Sequence, residues 1–247
     1  MKAMTGTRWM EALYRPVSLF SLRTAQATSS GGKTLLVPTP YAVGMALVDA
    51  GYRIGGETAA KALFRMAATQ RILLRPPEEA VVTNTFVKIL KESRKDGLSD
   101  APDKGPYGSS IAFREFCFFR GELRVALSVG DLAPKDVALL EDALWHVQYF
   151  GKRGSFFQPV DVRVVEELPE GYCVPADELS GDPSLFMTVQ VLDEIGEGKN
   201  LDDLFDRLNS YSKSRAQLGK HRRFREYRLP YRLVQSSHHY SWYRRLV

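Results

Sequence analysis

Strand-like and helix-like stretches alternate between residues 8 and 165, and prolines or glycines mark most of the switches. Residues 8–22 are β-prone and carry no helix cap, so a first strand is expected there, ending near Ser18-Leu19-Phe20-Ser21-Leu22-Arg23. A polar loop over residues 24–33 leads to Thr39, an N-cap with Pro40 in the first helical position. Val43, Leu47, Ala50 and Ile54 then recur at helical spacing until Gly55-Gly56 ends the run, and a second helical stretch places Ala60, Leu63, Phe64 and Ala67 on one face. Residues 71–74 and 80–90 read as extended and are split by Pro76-Pro77. Residues 91–110 hold Gly, Pro, Asp and Ser with little to bury, which predicts the loop tip of a long hairpin arm.

Residues 111–119 and 122–129, joined at Arg120-Gly121, predict a hairpin in which Leu123, Val125, Leu127 and Val129 alternate with Arg124, Ala126 and Ser128. Pro134 opens a helix with Val137, Leu140, Leu144 and Val147 on its apolar face; Gly151 is its expected C′ glycine, and a strand follows over residues 156–165. In order, these stretches spell β-α-(arm)-β-β-α-β. That is an α+β, ferredoxin-like (RRM-like) pattern of the kind many RNA-binding modules share. The reading places this domain over residues 1–168, with the arm near 80–118. A smaller C-terminal extension occupies 169–247, with an acidic helical part capped by Asn200 and a basic aromatic tail.

Charge is distributed unevenly. Residues 1–160 carry 21 basic and 15 acidic side chains, residues 161–210 carry 3 and 13, and residues 211–247 carry 10 and 1, so an acidic stretch separates two basic ones. Two readings follow: a polyanion-facing surface beside a protein-facing one, or an acidic stretch that pairs with the tail inside one fold. In the tail, arginines interleave with Phe224, Tyr227, Tyr231, Tyr240, Trp242 and Tyr243. That mix suits either phosphate contacts with base stacking or an edge hairpin whose aromatics pack on the core.

The remaining composition narrows the setting. Cys117 and Cys173 lie far apart, which suggests neither a disulfide framework nor a metal-ligand pair and fits a reducing compartment. No apolar run approaches the roughly 18 residues of a membrane helix. Arg8, Glu11 and Arg15 interrupt the N-terminus. A cytoplasmic chain with no membrane partner, no metal and no cofactor is expected. Ser29-Ser30-Gly31-Gly32-Lys33-Thr34 has a phosphate-loop look, but Ala27 stands where the first glycine belongs, and Pro38 and Pro40 interrupt the helix that should follow.

Chain geometry and charge coincide most closely in Tyr149-Phe150-Gly151-Lys152-Arg153-Gly154-Ser155-Phe156-Phe157. Two glycines let the backbone approach a ligand, and the two cations between them favour an anionic one. The plainer reading is a helix C-cap with two exposed cations. On the ligand reading, Arg23 converges with Lys152 and Arg153 near the sheet ends to hold phosphates of a kinked single strand.

Four motifs in order carry a family resemblance. These are the Ser18-to-Arg23 strand end, Thr34-Leu35-Leu36-Val37-Pro38-Thr39-Pro40, Ala112-Phe113-Arg114-Glu115-Phe116, and the glycine loop just quoted. Together they resemble the Cas-five family of the RAMP superfamily of CRISPR-associated proteins, over roughly residues 8–175. The resemblance implies a noncatalytic subunit of a type I guide-RNA surveillance complex (Cascade) in antiviral defence. Such a subunit binds the 5′ handle of the crRNA, caps the backbone filament beside the backbone and large subunits, and meets target DNA through the complex. Carried onto this chain, Gly151, Lys152, Arg153, Gly154 and Ser155 form the handle-binding loop with Arg23 and Arg114 nearby, while Lys88, Lys91, Arg94 and Lys95 line the arm.

Some members of that family cut precursor crRNA with a tyrosine, a lysine and a histidine. Here Tyr41 stands in for the tyrosine, but Phe116-Cys117-Phe118-Phe119 offers no Lys-His pair, and Lys220-His221 lies only in the tail. The alternatives to handle capping are therefore this metal-independent endoribonuclease and a general single-stranded RNA-binding module.

Overall fold

The computed structural model describes residues 8–24, 27, 31–92, 107–178, 187–209 and 212–246. Its elements are β1 (Trp9–Pro16), β2 (Gly31–Gly32), α1 (Pro40–Thr69), β3 (Ile72–Arg75), β4 (Glu79–Glu92), β5 (Tyr107–Arg120), β6 (Leu123–Ser128), α2 (Pro134–His146) and β7 (Phe157–Val165). Then come β8 (Val174–Pro175), β9 (Thr188–Ile195), α3 (Leu201–Leu208), β10 (Arg222–Leu229), β11 (Tyr231–Ser236) and β12 (Tyr240–Arg245). They assemble as a mixed α+β protein with three sheets among the described residues, ordered β3-β6-β1-β7, β8-β10-β9 and β11-β12-β4-β5-β2.

The antiparallel β3-β6-β1-β7 sheet buries both faces of β1. Met10, Ala12 and Tyr14 pack into the main core with Leu140, Ala143 and Leu144 of α2, and the Tyr14 hydroxyl donates to the Leu144 carbonyl at 2.7 Å. On the opposite face Trp9 packs with Leu73, Ala126 and Tyr172. Glu11 is buried beside them. Burial alone would raise its carboxyl, but hydrogen bonds from Tyr172 at 2.7 Å and Arg124 at 3.1 Å, with Arg163 at 3.3 Å, hold it below the ordinary carboxylate value.

Local signals place most elements where expected. The Thr39 hydroxyl accepts from the Ala42 N–H at 3.0 Å and starts α1, and the Asn200 side chain accepts from Asp203 N–H at 2.8 Å and starts α3. Gly55 and Gly56, the latter at φ +67°, break α1 into two helical runs that continue across the kink. The first strand stops at Pro16, so the Ser18-to-Arg23 segment lies outside it and touches its neighbours only through the Phe20–Cys117 and Arg23–Thr34 bridges.

The expected hairpin over residues 111–129 does not form. Both edges of β6 are taken by β1 and β3, while β5 pairs with β4 on one side and with Phe20 and β2 on the other. The Arg120-Gly121 link is thus a corner between two sheets, made with Gly121 at φ +104°. Over the residues read as the arm, β4 and β5 pair in one ladder that runs from the Glu79–Arg120 pair to the Glu92–Tyr107 pair.

The C-terminal residues join both halves of the molecule. β12 pairs with β4 and extends the arm sheet at its base. β10 lies between β8 and β9, and its arginines meet the acidic stretch: Arg222 with Asp193, Arg223 with Glu194 at 3.3 Å, and Arg225 with Asp177 at 2.7 Å. Of the two charge readings, internal pairing accounts for these residues, and the tail forms strands.

Candidate nucleic-acid interface

The site is built on the turn that links α2 to β7. α2 ends at His146 with Val147 as its C-cap, so Gly151 is not the C′ glycine of the helix. Tyr149 bridges Phe156, the Phe157 N–H donates to the Gln148 carbonyl at 2.8 Å, and the Ser155 N–H donates to the Lys152 carbonyl at 3.1 Å. These bonds close a tight loop that needs positive φ twice, at Gly151 (+67°) and Gly154 (+102°).

Apolar residues fasten the loop beneath its two exposed cations. Phe150 is buried edge-on against Tyr14 at 5.1 Å and against Phe157 at 5.2 Å. Ser155 is buried as well, and its hydroxyl donates to the Ser21 carbonyl at 3.1 Å; its side chain ties the loop to the segment before β2 and faces no solvent. Lys152 and Arg153 are exposed at the tip.

In the segment beside the loop, Arg23 is held by its bridge to Thr34 and by donation from Nη2 to the Ala27 carbonyl at 2.9 Å. Arg23, Gly151, Lys152 and Arg153 line one cleft of about 650 Å³. Three tyrosines share it: Tyr41 and Tyr52 from α1, and Tyr149 from the loop. The wall opposite α1 is formed by Asp193, Phe205, Leu208 and Arg222. The Arg222 guanidinium lies 4.3 Å above the Tyr41 ring while bonding the Asp193 carboxylate. Burial pushes the Tyr41 hydroxyl above its ordinary value, partly offset by Arg222, so it stays protonated at neutral pH.

The other sequence candidates lie elsewhere. Arg114 sits on β5 against Gly32 and donates from Nη1 to the Phe113 carbonyl at 2.7 Å; it does not line the cleft. Lys88 is exposed on β4 and pairs with Ile111, so it shares an arm face with the exposed Phe86 and Leu90. Lys91 pairs with Gly108 in the ladder. Arg94 and Lys95 fall outside the described residues. Gly31 and Gly32 form β2, running parallel to β5, which is no phosphate loop. Sequence reasoning passed over Tyr52, Tyr149 and Arg222 as site residues. Tyr149 stood inside the quoted motif, whereas nothing local marks Arg222, which reaches Tyr41 only through the fold.

No protein-family profile matches the chain. It is 21% identical over 228 residues to the CRISPR-associated protein Cas5 of Archaeoglobus fulgidus, an alignment covering 86% of this chain and 96% of that protein. Among solved structures it is similar to a crystal structure of a CRISPR protein from Archaeoglobus fulgidus, with TM-score 0.43 and 14% identity over 96% of this chain and 92% of that one. A chain of a CRISPR RNA-guided surveillance complex gives TM-score 0.46 and 15% identity over 90% of this chain and 88% of that one. These similarities are to CRISPR-associated proteins. In sequence the chain is similar to a Cas5 protein along nearly the whole of that protein's length, and the resemblance read from the four motifs is borne out.

Proposed function

We propose that this chain is a noncatalytic RNA-binding subunit of a type I CRISPR surveillance complex that holds the 5′ handle of the crRNA and caps the backbone filament in prokaryotic cytoplasm. The observation that carries this reading is the convergence of Arg23, Lys152 and Arg153 on one aromatic-lined cleft. Guanidinium and ammonium groups bind phosphates, and exposed tyrosine rings stack on bases, which is the combination a single strand requires. The sheet order β3-β6-β1-β7, with α1 and α2 as the connecting helices, supports a ferredoxin-like domain as the platform. Contacts with the backbone and large subunits, and with target DNA through the complex, follow from the relation to Cas5.

The noncatalytic part rests on the cleft chemistry. Tyr41 remains protonated, and no histidine is among the lining residues. His221 is buried, and its Nδ1 accepts from the Gln217 N–H at 2.8 Å, an anchoring role for the turn before β10. Metal-free cleavage of the kind the resemblance describes needs a histidine and a lysine beside the tyrosine, and the described lining of this cleft holds Tyr41 and Lys152 without a histidine.

One assay tests the proposal: the purified protein is mixed with labelled guide RNA carrying its intact 5′ handle, a scrambled handle, or an extended precursor. Handle-selective binding without cutting is expected. Equal affinity for the scrambled handle would reduce the chain to a general RNA-binding module, and cutting of the precursor would make it an endoribonuclease.

A further inference from the structure

We infer that the interior of the same cleft holds one unstacked base of the bound RNA, with the Tyr41–Arg222 stack as part of its wall. This deepens the handle-binding reading and rests on it. A phosphate needs only the cations, yet the same cleft is also lined by Met45, Val48, Phe205 and Leu208, which pack together as an apolar wall that offers an anion no partner. A flat group with apolar faces and polar edges suits that interior, and in RNA that group is a nucleobase.

Size and rigidity agree. At about 650 Å³ the cleft falls among the volumes typical of small-ligand sites. Arg222 is fixed twice, over the Tyr41 ring and against the Asp193 carboxylate, so its guanidinium is preorganised in the cleft wall. Single-stranded RNA is commonly read in this way, with splayed bases stacked on aromatic rings or guanidinium planes. Asp193, Phe205, Leu208 and Arg222 all come from the C-terminal residues. That part of the chain thus contributes to RNA binding through the cleft wall rather than through a basic surface.

The test is on the RNA. A series of handle RNAs, each abasic at one position, is titrated against the full chain. One position should lose about tenfold or more in affinity, the worth of stacking a single base, while its neighbours change little. Ala42→Phe narrows the cleft without removing its cations and should erase the penalty at that position. Small uniform losses along the series, with the intact handle still bound, would overturn this inference and leave handle binding standing. Failure of the intact handle to bind would overturn both. AMP, GMP, CMP and UMP are titrated in parallel, and any that binds more tightly than the handle would make the site one for a free nucleotide and overturn the assignment.

Discussion

Replacing Lys152 and Arg153 together with alanine should change handle binding in a way that counts phosphates. Both side chains are exposed on a loop whose fold depends on Phe150, Ser155 and two positive-φ glycines, so their removal leaves the loop intact. Each phosphate neutralised on a single strand contributes a slope of roughly −0.7 in log affinity against log salt. Arg23, Lys152 and Arg153 together predict a total of roughly −2, Arg222 being already paired with Asp193, and Arg23 alone predicts roughly −0.7. Losing two such contacts weakens binding by about tenfold at physiological ionic strength. Fluorescence anisotropy with a labelled handle RNA across a salt series measures both quantities, and a thermal melt verifies the fold. An unchanged slope in the double variant, with an unchanged melting temperature, would show that the cations of this loop do not face the RNA, and the site would be refuted.

Two further outcomes concern stability. Glu11→Ala leaves the buried Tyr172 hydroxyl and the Arg124 guanidinium without their carboxylate; it should cost about 2–3 kcal/mol, or about 5–10 °C in melting temperature. Because the folded carboxyl is held below the ordinary carboxylate value, the wild-type advantage is complete above the carboxylate range and fades as pH falls through the lowered value. A gap between the two proteins that stays constant down to about pH 3, well below the ordinary glutamate range, would contradict the assigned ionisation. Gly196→Ala would place a Cβ 1.9 Å from the Lys220 carbonyl oxygen, where the Gly196 N–H donates to the His221 carbonyl at 2.9 Å. The expected cost is at least about 2 kcal/mol by chemical denaturation, and a variant as stable as the parent would refute that close approach.

What the sequence determined by itself was local. Thr39 with Pro40, and Asn200, start helices because their side chains satisfy backbone N–H groups within a few residues. Gly151 and Gly154 bound a tight basic loop because glycine tolerates the backbone angles required there. Tertiary structure alone decided the rest. The alternation in residues 122–129 identified a strand, yet whether β5 pairs with β6 or with β4 depends on which sheet edges other segments already occupy. The helix end at His146 rather than near Gly151 follows from the backbone bonds that close residues 148–157. Likewise, the basic tail carried the same charges whether it met RNA or Asp177, Asp193 and Glu194; the pairing of β10 with β8 and β9 settles which. Arg222 reaches Tyr41 for the same reason: a cation and a ring 181 positions apart in the sequence become neighbours only when the whole chain has closed around them.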